Sequence, residues 1–268
     1  MPGEVARYRR DGFLFPLRAV SAGAARDYRR RLEAFEQSNG GPLTGHLRQK
    51  LHLLFTWANG LVRNPAILDP VEDLIGPNIL CWGSVFFIKE ARSTAHVTWH
   101  QDGTYWGLDT CDIVTAWVAF TDVPLDSGPM RFWPGSHRAA LAHRDTRGPG
   151  NLLSRGQEIA VAVPESESVD VTLQAGEMSL HHVLLAHASG TNTTGDRRIG
   201  LAIRYIPAHA RQTSRRSDTA MLVRGRDAHG HFELEPEPHA DLDPAAIAAH
   251  RRAIEHHVGP ISEPLLRT

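Results

Sequence analysis

The chain is short of cysteine, of lysine and of long apolar runs. Only Cys81 and Cys111 occur in 268 residues. They form no C-x-x-C pair, and two lone thiols fit a reducing compartment better than a disulfide scaffold. Lysine is limited to Lys50 and Lys89, against 27 arginines. Neither lysine follows a glycine, which excludes a G-K-[ST] phosphate loop, and only these two amines could form a Schiff base. G-x-S-x-G, H-E-x-x-H and G-x-G-x-x-G are also missing, so serine-hydrolase, zincin and dinucleotide chemistries lose their usual signatures. No apolar run approaches the ~18–20 residues of a membrane span, and residues 1–10 carry charge where a signal peptide needs its apolar stretch. A net charge of −1 provides no bulk attraction to nucleic acid or an anionic membrane. The expectation is one cytoplasmic catalytic domain over residues 1–268, acting on a small molecule, with no nucleic-acid or membrane partner.

The hydrophobic pattern divides the chain in three. Residues 1–77 read as mainly helical. Ser21 can cap a segment over 22–35, a second spans 47–62 with Leu51, Leu54, Phe55 and Ala58 at helical spacing, and Asn64-Pro65 opens a third that ends at Gly76-Pro77. Residues 78–207 carry short runs rich in Val, Ile, Trp and Phe, at 78–88, 97–99, 113–120, 130–133, 169–173, 178–185 and 199–206. Gly, Pro, Asp and Ser clusters separate them, which predicts an antiparallel sandwich or barrel. The fold class expected is mainly β with flanking helices, a double-stranded β-helix (jelly roll, cupin-like), with a long loop at 138–168. Residues 208–268 read as an extension: a basic, flexible stretch over 211–226, then a helix capped by Asp243-Pro244.

Histidine is what the chain has in excess: sixteen. An H-x-D pair at a strand exit can offer an imidazole and a carboxylate to one metal ion from one side, and two histidines with one carboxylate leave one octahedral face open, as an iron(II) oxygenase requires. With 16 Asp as well, chance predicts about one such pair, and three occur: His100/Asp102, His143/Asp145 and His239/Asp241. The last two fall in polar segments and read as solvated loops. Only His100/Asp102 lies beside strand-like runs. The third ligand must come from a later strand, where spacing alone leaves His181, His182 and His187 open. The first two read by default as core histidines, or as ones that hold a carboxylate. Arg198 opens the last strong strand, and its planar fork suits a carboxylate.

Assembled in order, Tyr8-Arg-Arg-Asp-Gly-Phe13, Gly76-Pro-Asn-Ile79, Trp99-His-Gln-Asp102, Thr115-Ala-Trp117, Gly128-Pro-Met-Arg-Phe-Trp-Pro-Gly-Ser-His137, His187-Ala-Ser189 and Arg197-Arg198 resemble the phytanoyl-CoA dioxygenase family of iron(II)- and 2-oxoglutarate-dependent oxygenases. The resemblance implies that His100, Asp102 and His187 are the metal ligands and catalytic centre. It implies that Arg198 pairs with the distal carboxylate of 2-oxoglutarate and that Ser189 and Trp117 touch the same co-substrate. A basic family residue falls at Arg48 or Lys50. The implied cofactors are Fe(II), 2-oxoglutarate and O2, with oxidation of a substrate C–H bond coupled to release of succinate and CO2. Related halogenases replace the aspartate by Ala or Gly, so the presence of Asp102 favours hydroxylation. Residues 100–107 and 151–157 look like the branch acting on aminoalkylphosphonates, amino acids and natural-product intermediates. Tyr105 and Trp106 are candidate cavity walls, and Arg211, Arg215 and Arg216 are candidate partners for a substrate anion. The alternatives are a tailoring oxygenase that desaturates, epoxidises or closes a ring, and a non-enzymatic jelly-roll binding protein.

Overall fold

The structure is a computed structural model that describes residues 2–153, 155–214 and 217–258. The chain begins with α1 (Pro2–Asp11), β1 (Phe13–Arg18), α2 (Ala22–Ser38), α3 (Thr56–Val62) and α4 (Pro65–Ile75). It continues through β2 (Ile79–Lys89), β3 (Val97–His100), β4 (Val114–Ala119), β5 (Met130–Phe132), β6 (His143–Asp145), β7 (Gln157–Ile159) and β8 (Val169–Val171). It ends with β9 (Glu177–His182), β10 (His187–Ser189), β11 (Arg198–Pro207), β12 (Thr219–Arg224), β13 (Glu233–Leu234) and α5 (Pro244–Val258).

Seven strands form one sheet in the order β1-β9-β4-β11-β2-β12-β13, and four form a second in the order β3-β10-β5-β8. All pairs are antiparallel except β12 with β13. This is the jelly roll. Alternation along β11 divides its two faces. Ile199, Leu201, Ile203 and Tyr205 pack with Leu32, Leu61 and Ile67 from the helices and with Leu54 just before α3, whereas Arg198, Ala202 and Arg204 line a cavity on the other side. Between the sheets, Trp117, Phe132, Val171, Leu185 and Ala202 form a separate apolar cluster.

The caps follow the sequence. The Ser21 side chain accepts the Ala24 N–H at 3.1 Å, Asn64 accepts that of Ala66 at 2.9 Å, and Asp243 accepts that of Ala246 at 2.9 Å, each satisfying an orphan donor of the first turn.

Three expectations are corrected. The helix over 47–62 is broken: two single 3-10 turns, Gly45–Arg48 and Leu51–Leu53, precede α3. Lys50 adopts a left-handed conformation (φ 52°) between them, and Gln49 bridges to Val85. Residues 1–77 also contain a strand, β1, at the edge of the large sheet. The stretch 211–226 contains β12, which pairs with β2, so the chain after Pro207 is built into the large sheet. The loop at 138–168 carries the β6–β7 hairpin. Among the described residues no helix is long and apolar enough to cross a membrane.

Candidate active site

His100 ends β3 and His187 begins β10, directly opposite each other in the antiparallel register. Their rings lie 4.1 Å apart. Asp102 follows β3 as the first residue of a 3-10 turn, with its Oδ1 3.4 Å from His100 Nε2. In both histidines Nδ1 donates to the carbonyl two residues back, Thr98 at 2.9 Å and Leu185 at 2.9 Å. A carbonyl only accepts, so the proton sits on Nδ1 and both Nε2 lone pairs are left to face the carboxylate. One donor atom from each of the three residues lies within 4.8 Å of the others. Burial pushes the His187 imidazole down, further lowered by His100. Two neutral imidazole nitrogens and a carboxylate converging without a proton between them are the donor set of a divalent cation with open positions.

Gln101, between the two ligand candidates, ties the turn to its surroundings. It is fully buried. Its Nε2 donates to Leu184 O at 2.6 Å and Ala139 O at 2.9 Å, and its Oε1 accepts the Leu141 N–H at 2.8 Å. Its own N–H donates to His143 Nε2 at 2.9 Å. His143 is thus no solvated loop residue, because β6 carries it against the back of this turn, with its Nδ1 bonded to Leu141 O.

Beyond the triad the cavity runs along β11. Arg198 is 2% exposed, donates to Gly128 O at 2.8 Å and lies 5.2 Å from the Trp117 ring centroid. Burial lowers its guanidinium to about 10. Gly200 makes room for that indole, since a Cβ there would sit 1.9 Å from Trp117 Cζ2. Six residues along the same face, Arg204 stacks its guanidinium 4.5 Å over the Trp106 ring. Among the described residues the buried Nε of Arg198, Nε of Arg204, Oγ1 of Thr115 and Nδ1 of His181 have no hydrogen-bond partner, and all four residues line the cavity. Unpaired buried donors beside two guanidinium groups mark a place for an anion.

His100, Asp102, His187, Arg198, Ser189 and Trp117 are brought together on this one cavity. Tyr105, Trp106 and Arg211 are not among its lining residues. Tyr105 turns its edge to His143 and donates to Asp145, Trp106 packs on Trp82, and exposed Arg211 donates to His231. Arg215 and Arg216 lie outside the described residues. Arg48 donates to Phe86 O at 3.3 Å, and Lys50 is bonded to Glu235 and Thr219; neither lines the cavity. His181 does, with its ring 4.9 Å from that of His187 and its imidazole pushed by burial down to about 4. His182 turns away toward His137. Gly200 and Arg204 were not singled out from the sequence, and Gln101, Lys89 and Thr115 were named there without a role at this cavity. Arg204 had a signal there, the alternation Arg198, Gly200, Ala202, Arg204 of charged ends around small residues.

The family profile described as phytanoyl-CoA dioxygenase (PhyH) matches residues 8–200, most of the chain. The chain belongs to the phytanoyl-CoA dioxygenase family. Among relatives, it is 33% identical over 181 residues, covering 66% of this chain and 62% of the other, to a protein of Stutzerimonas stutzeri named probable alpha-ketoglutarate-dependent hypophosphite dioxygenase. The matched region thus spans about three fifths of that relative's length. It is 27% identical over 234 residues to the L-proline trans-4-hydroxylase of Streptomyces griseoviridis, covering 76% and 87%. Among solved structures it resembles the apo form of the non-heme monooxygenase ThoJ, with TM-score 0.84, 38% identity and coverage of 94% and 95%. In this family member one cavity is lined by His100, Asp102, His187, Arg198, Ser189 and Trp117, whereas Arg48 and Lys50 lie outside it.

Proposed function

We propose that this chain is an iron(II)- and 2-oxoglutarate-dependent dioxygenase that hydroxylates a C–H bond of a small polar metabolite such as an amino acid, an aminophosphonate or a natural-product intermediate. The observation that carries this is the combination of three converging donors, His100, Asp102 and His187, with two arginines on the same face of β11. Six residues of strand separate the arginines by ~20 Å. Both line the cavity that would take a short dicarboxylate. Iron with 2-oxoglutarate and dioxygen supplies the oxidising equivalent, with succinate and CO2 as by-products.

The protein residues hold and orient. His100 and His187 offer Nε2 because their Nδ1 protons are committed to backbone carbonyls. Arg198 meets the distal carboxylate, with Ser189 and Trp117 beside it, and Arg204 adds positive charge at the end near Asp102. Phe87, Val97 and Met130 line the apolar wall and exclude water, which strengthens each charged contact. Asp102 would hold the metal as a third protein ligand, leaving no position for a halide, which favours hydroxylation. The two curated relatives are named for hypophosphite and proline, both small and charged, which supports a substrate of that size.

The test is incubation in air with iron(II), ascorbate and 2-oxoglutarate, following succinate over a panel of aminophosphonates, amino acids and acyl thioesters. A product heavier by one oxygen is expected, whereas loss of two hydrogens would indicate desaturation or ring closure. Absence of succinate above background with every compound, together with no stoichiometric iron binding, would sink the proposal. Asp102→Ala should abolish hydroxylation. His143→Ala should lose about tenfold in iron affinity yet turn over at saturating iron. Equal loss in both variants would mean that the metal has been assigned to the wrong residues.

A further inference from the structure

Lys89 is the last residue of β2 and the direct cross-strand partner of Arg198. Both side chains are buried, at 0% and 2% exposure, and like charges placed opposite each other on a sheet repel. Among the described residues neither has a carboxylate partner. The Lys89 ammonium donates to Ser189 Oγ at 2.8 Å, to Gly128 O at 3.2 Å and to Gly190 O. Gly128 O also accepts from Arg198, so one carbonyl fixes both cations. A Cβ at Gly128 would sit 2.4 Å from Gly190 O, so only glycine lets these two backbone segments close around the ammonium.

Two consequences follow from donor counting. The three protons of Lys89 are used on three acceptors, so it does not itself reach into the cavity, and it is absent from the lining. Ser189 does line the cavity, and its Oγ already accepts from Lys89, so its own proton is the group left to give. A buried pair of cations without a counter-charge is costly unless an anion completes it.

We infer that Lys89 is a positioning residue for the distal carboxylate of a dicarboxylate 2-oxo acid, holding the Ser189 hydroxyl as a donor toward that carboxylate and adding a second positive charge behind Arg198. This rests on the proposed use of the cavity for 2-oxoglutarate. It makes Lys89 a determinant of co-substrate choice, separating acids with a second carboxylate from those without one.

The test is calorimetric binding of 2-oxoglutarate and of 2-oxobutyrate, which lacks the distal carboxylate, to iron(II)-loaded protein under argon. The wild type should prefer 2-oxoglutarate by about a hundredfold, as expected for losing a charge-assisted bidentate pair. Lys89→Met should weaken 2-oxoglutarate about tenfold and leave 2-oxobutyrate within about twofold of wild type. Because Lys89 acts through Ser189, Ser189→Ala added to Lys89→Met should cost little more than Lys89→Met alone. Equal weakening of both acids by Lys89→Met, or losses that multiply in the double variant, would overturn the inference while leaving the 2-oxoglutarate site standing. A wild type that binds both acids equally would overturn the site as well. Should Lys89→Met lack the wild-type circular dichroism, Lys89→Gln, which keeps two donors but no charge, carries the same comparison.

Discussion

Replacing Gln101 with leucine should damage both the fold and the metal site while leaving every proposed ligand in place. Leucine fills nearly the same space, so the change creates little cavity. What it removes is the partner of three backbone groups at short range, Leu184 O, Ala139 O and the Leu141 N–H, and a longer contact to Ser136 O at 3.4 Å. A buried polar group left unpaired costs about 1–3 kcal/mol. Ala139 is exposed, so its carbonyl can turn to water, and the other two groups bring the sum to about 3 kcal/mol. The same bonds tie the turn bearing Asp102 to the segment leading into His187, so iron affinity should fall about 10- to 100-fold. Urea denaturation of the metal-free protein reads the first effect, and competition for iron(II) with a coloured chelator reads the second. A stability within about 0.5 kcal/mol of wild type, the range of an ordinary surface substitution, together with unchanged iron affinity would refute the reasoning. Gln101→Glu separates charge from shape: it keeps the acceptor for Leu141 but sets a carboxylate oxygen against two carbonyls, and should be at least as harmful.

Glu235→Gln should cost about 3–5 kcal/mol in urea denaturation, because Lys50, 4% exposed, then keeps its charge without a counter-charge; the pair change Lys50→Met/Glu235→Leu should recover most of that loss, and no recovery would argue against a charge effect. Burial alone would raise Glu235, but Lys50 and His52 outweigh it and hold its carboxyl below the usual range. The folded-state value is therefore depressed, so this stabilisation is complete above the ordinary carboxylate range and is lost as pH falls below it. Melting temperature against acid pH should drop more steeply in wild type than in Glu235→Gln. Gly200→Ala should displace the Trp117 indole, since the new Cβ would lie 1.9 Å from Cζ2; overpacking of this kind costs about 1–3 kcal/mol, and 2-oxoglutarate binding should weaken with it. Unchanged 2-oxoglutarate affinity in that variant would remove Trp117 from the co-substrate contacts.

The triad was legible because its chemistry is written in short motifs at strand ends. His100 and Asp102 are two residues apart at a strand exit, and β10 delivers His187 opposite His100 by pairing alone. Arg198 was visible as the opening of the last strong strand, and its role toward a carboxylate came from the family resemblance. The errors have a common physical source in tertiary contacts. β1 carries Pro16 and Arg18, which deny it a strand pattern, yet it needs only one partner because it lies at the sheet edge. β12 is flanked by charged residues that hide a buried run. The spacing over 47–62 reported burial correctly, since Leu51, Leu54, Phe55 and Ala58 are all in the core, but burial at helical spacing is also produced by consecutive 3-10 turns. Tyr105 and Trp106 are close in sequence to Asp102, and the turn that aims the carboxylate inward aims both rings elsewhere.

The two lysines show why composition alone could not find the rest of the site. Both are buried, and with only two of them no pattern exists to read. Lys50 meets Glu235 inside the fold, so its charge is already balanced and its role is to join the segment around β13 to the turns before α3. Lys89 meets carbonyls and a hydroxyl but no carboxylate among the described residues, and burial, with Arg198 beside it, lowers its ammonium to about 6, so its full positive charge is held only when an anion enters beside it. The same residue type at similar burial therefore has opposite meanings. A buried cation with its counter-charge in the chain explains itself, whereas one beside a second unpaired cation, behind a cavity, is balanced only when an anion enters. That difference appears only once β2 and β11 are paired, which is why the place of Lys89 behind Arg198 had to wait for the structure.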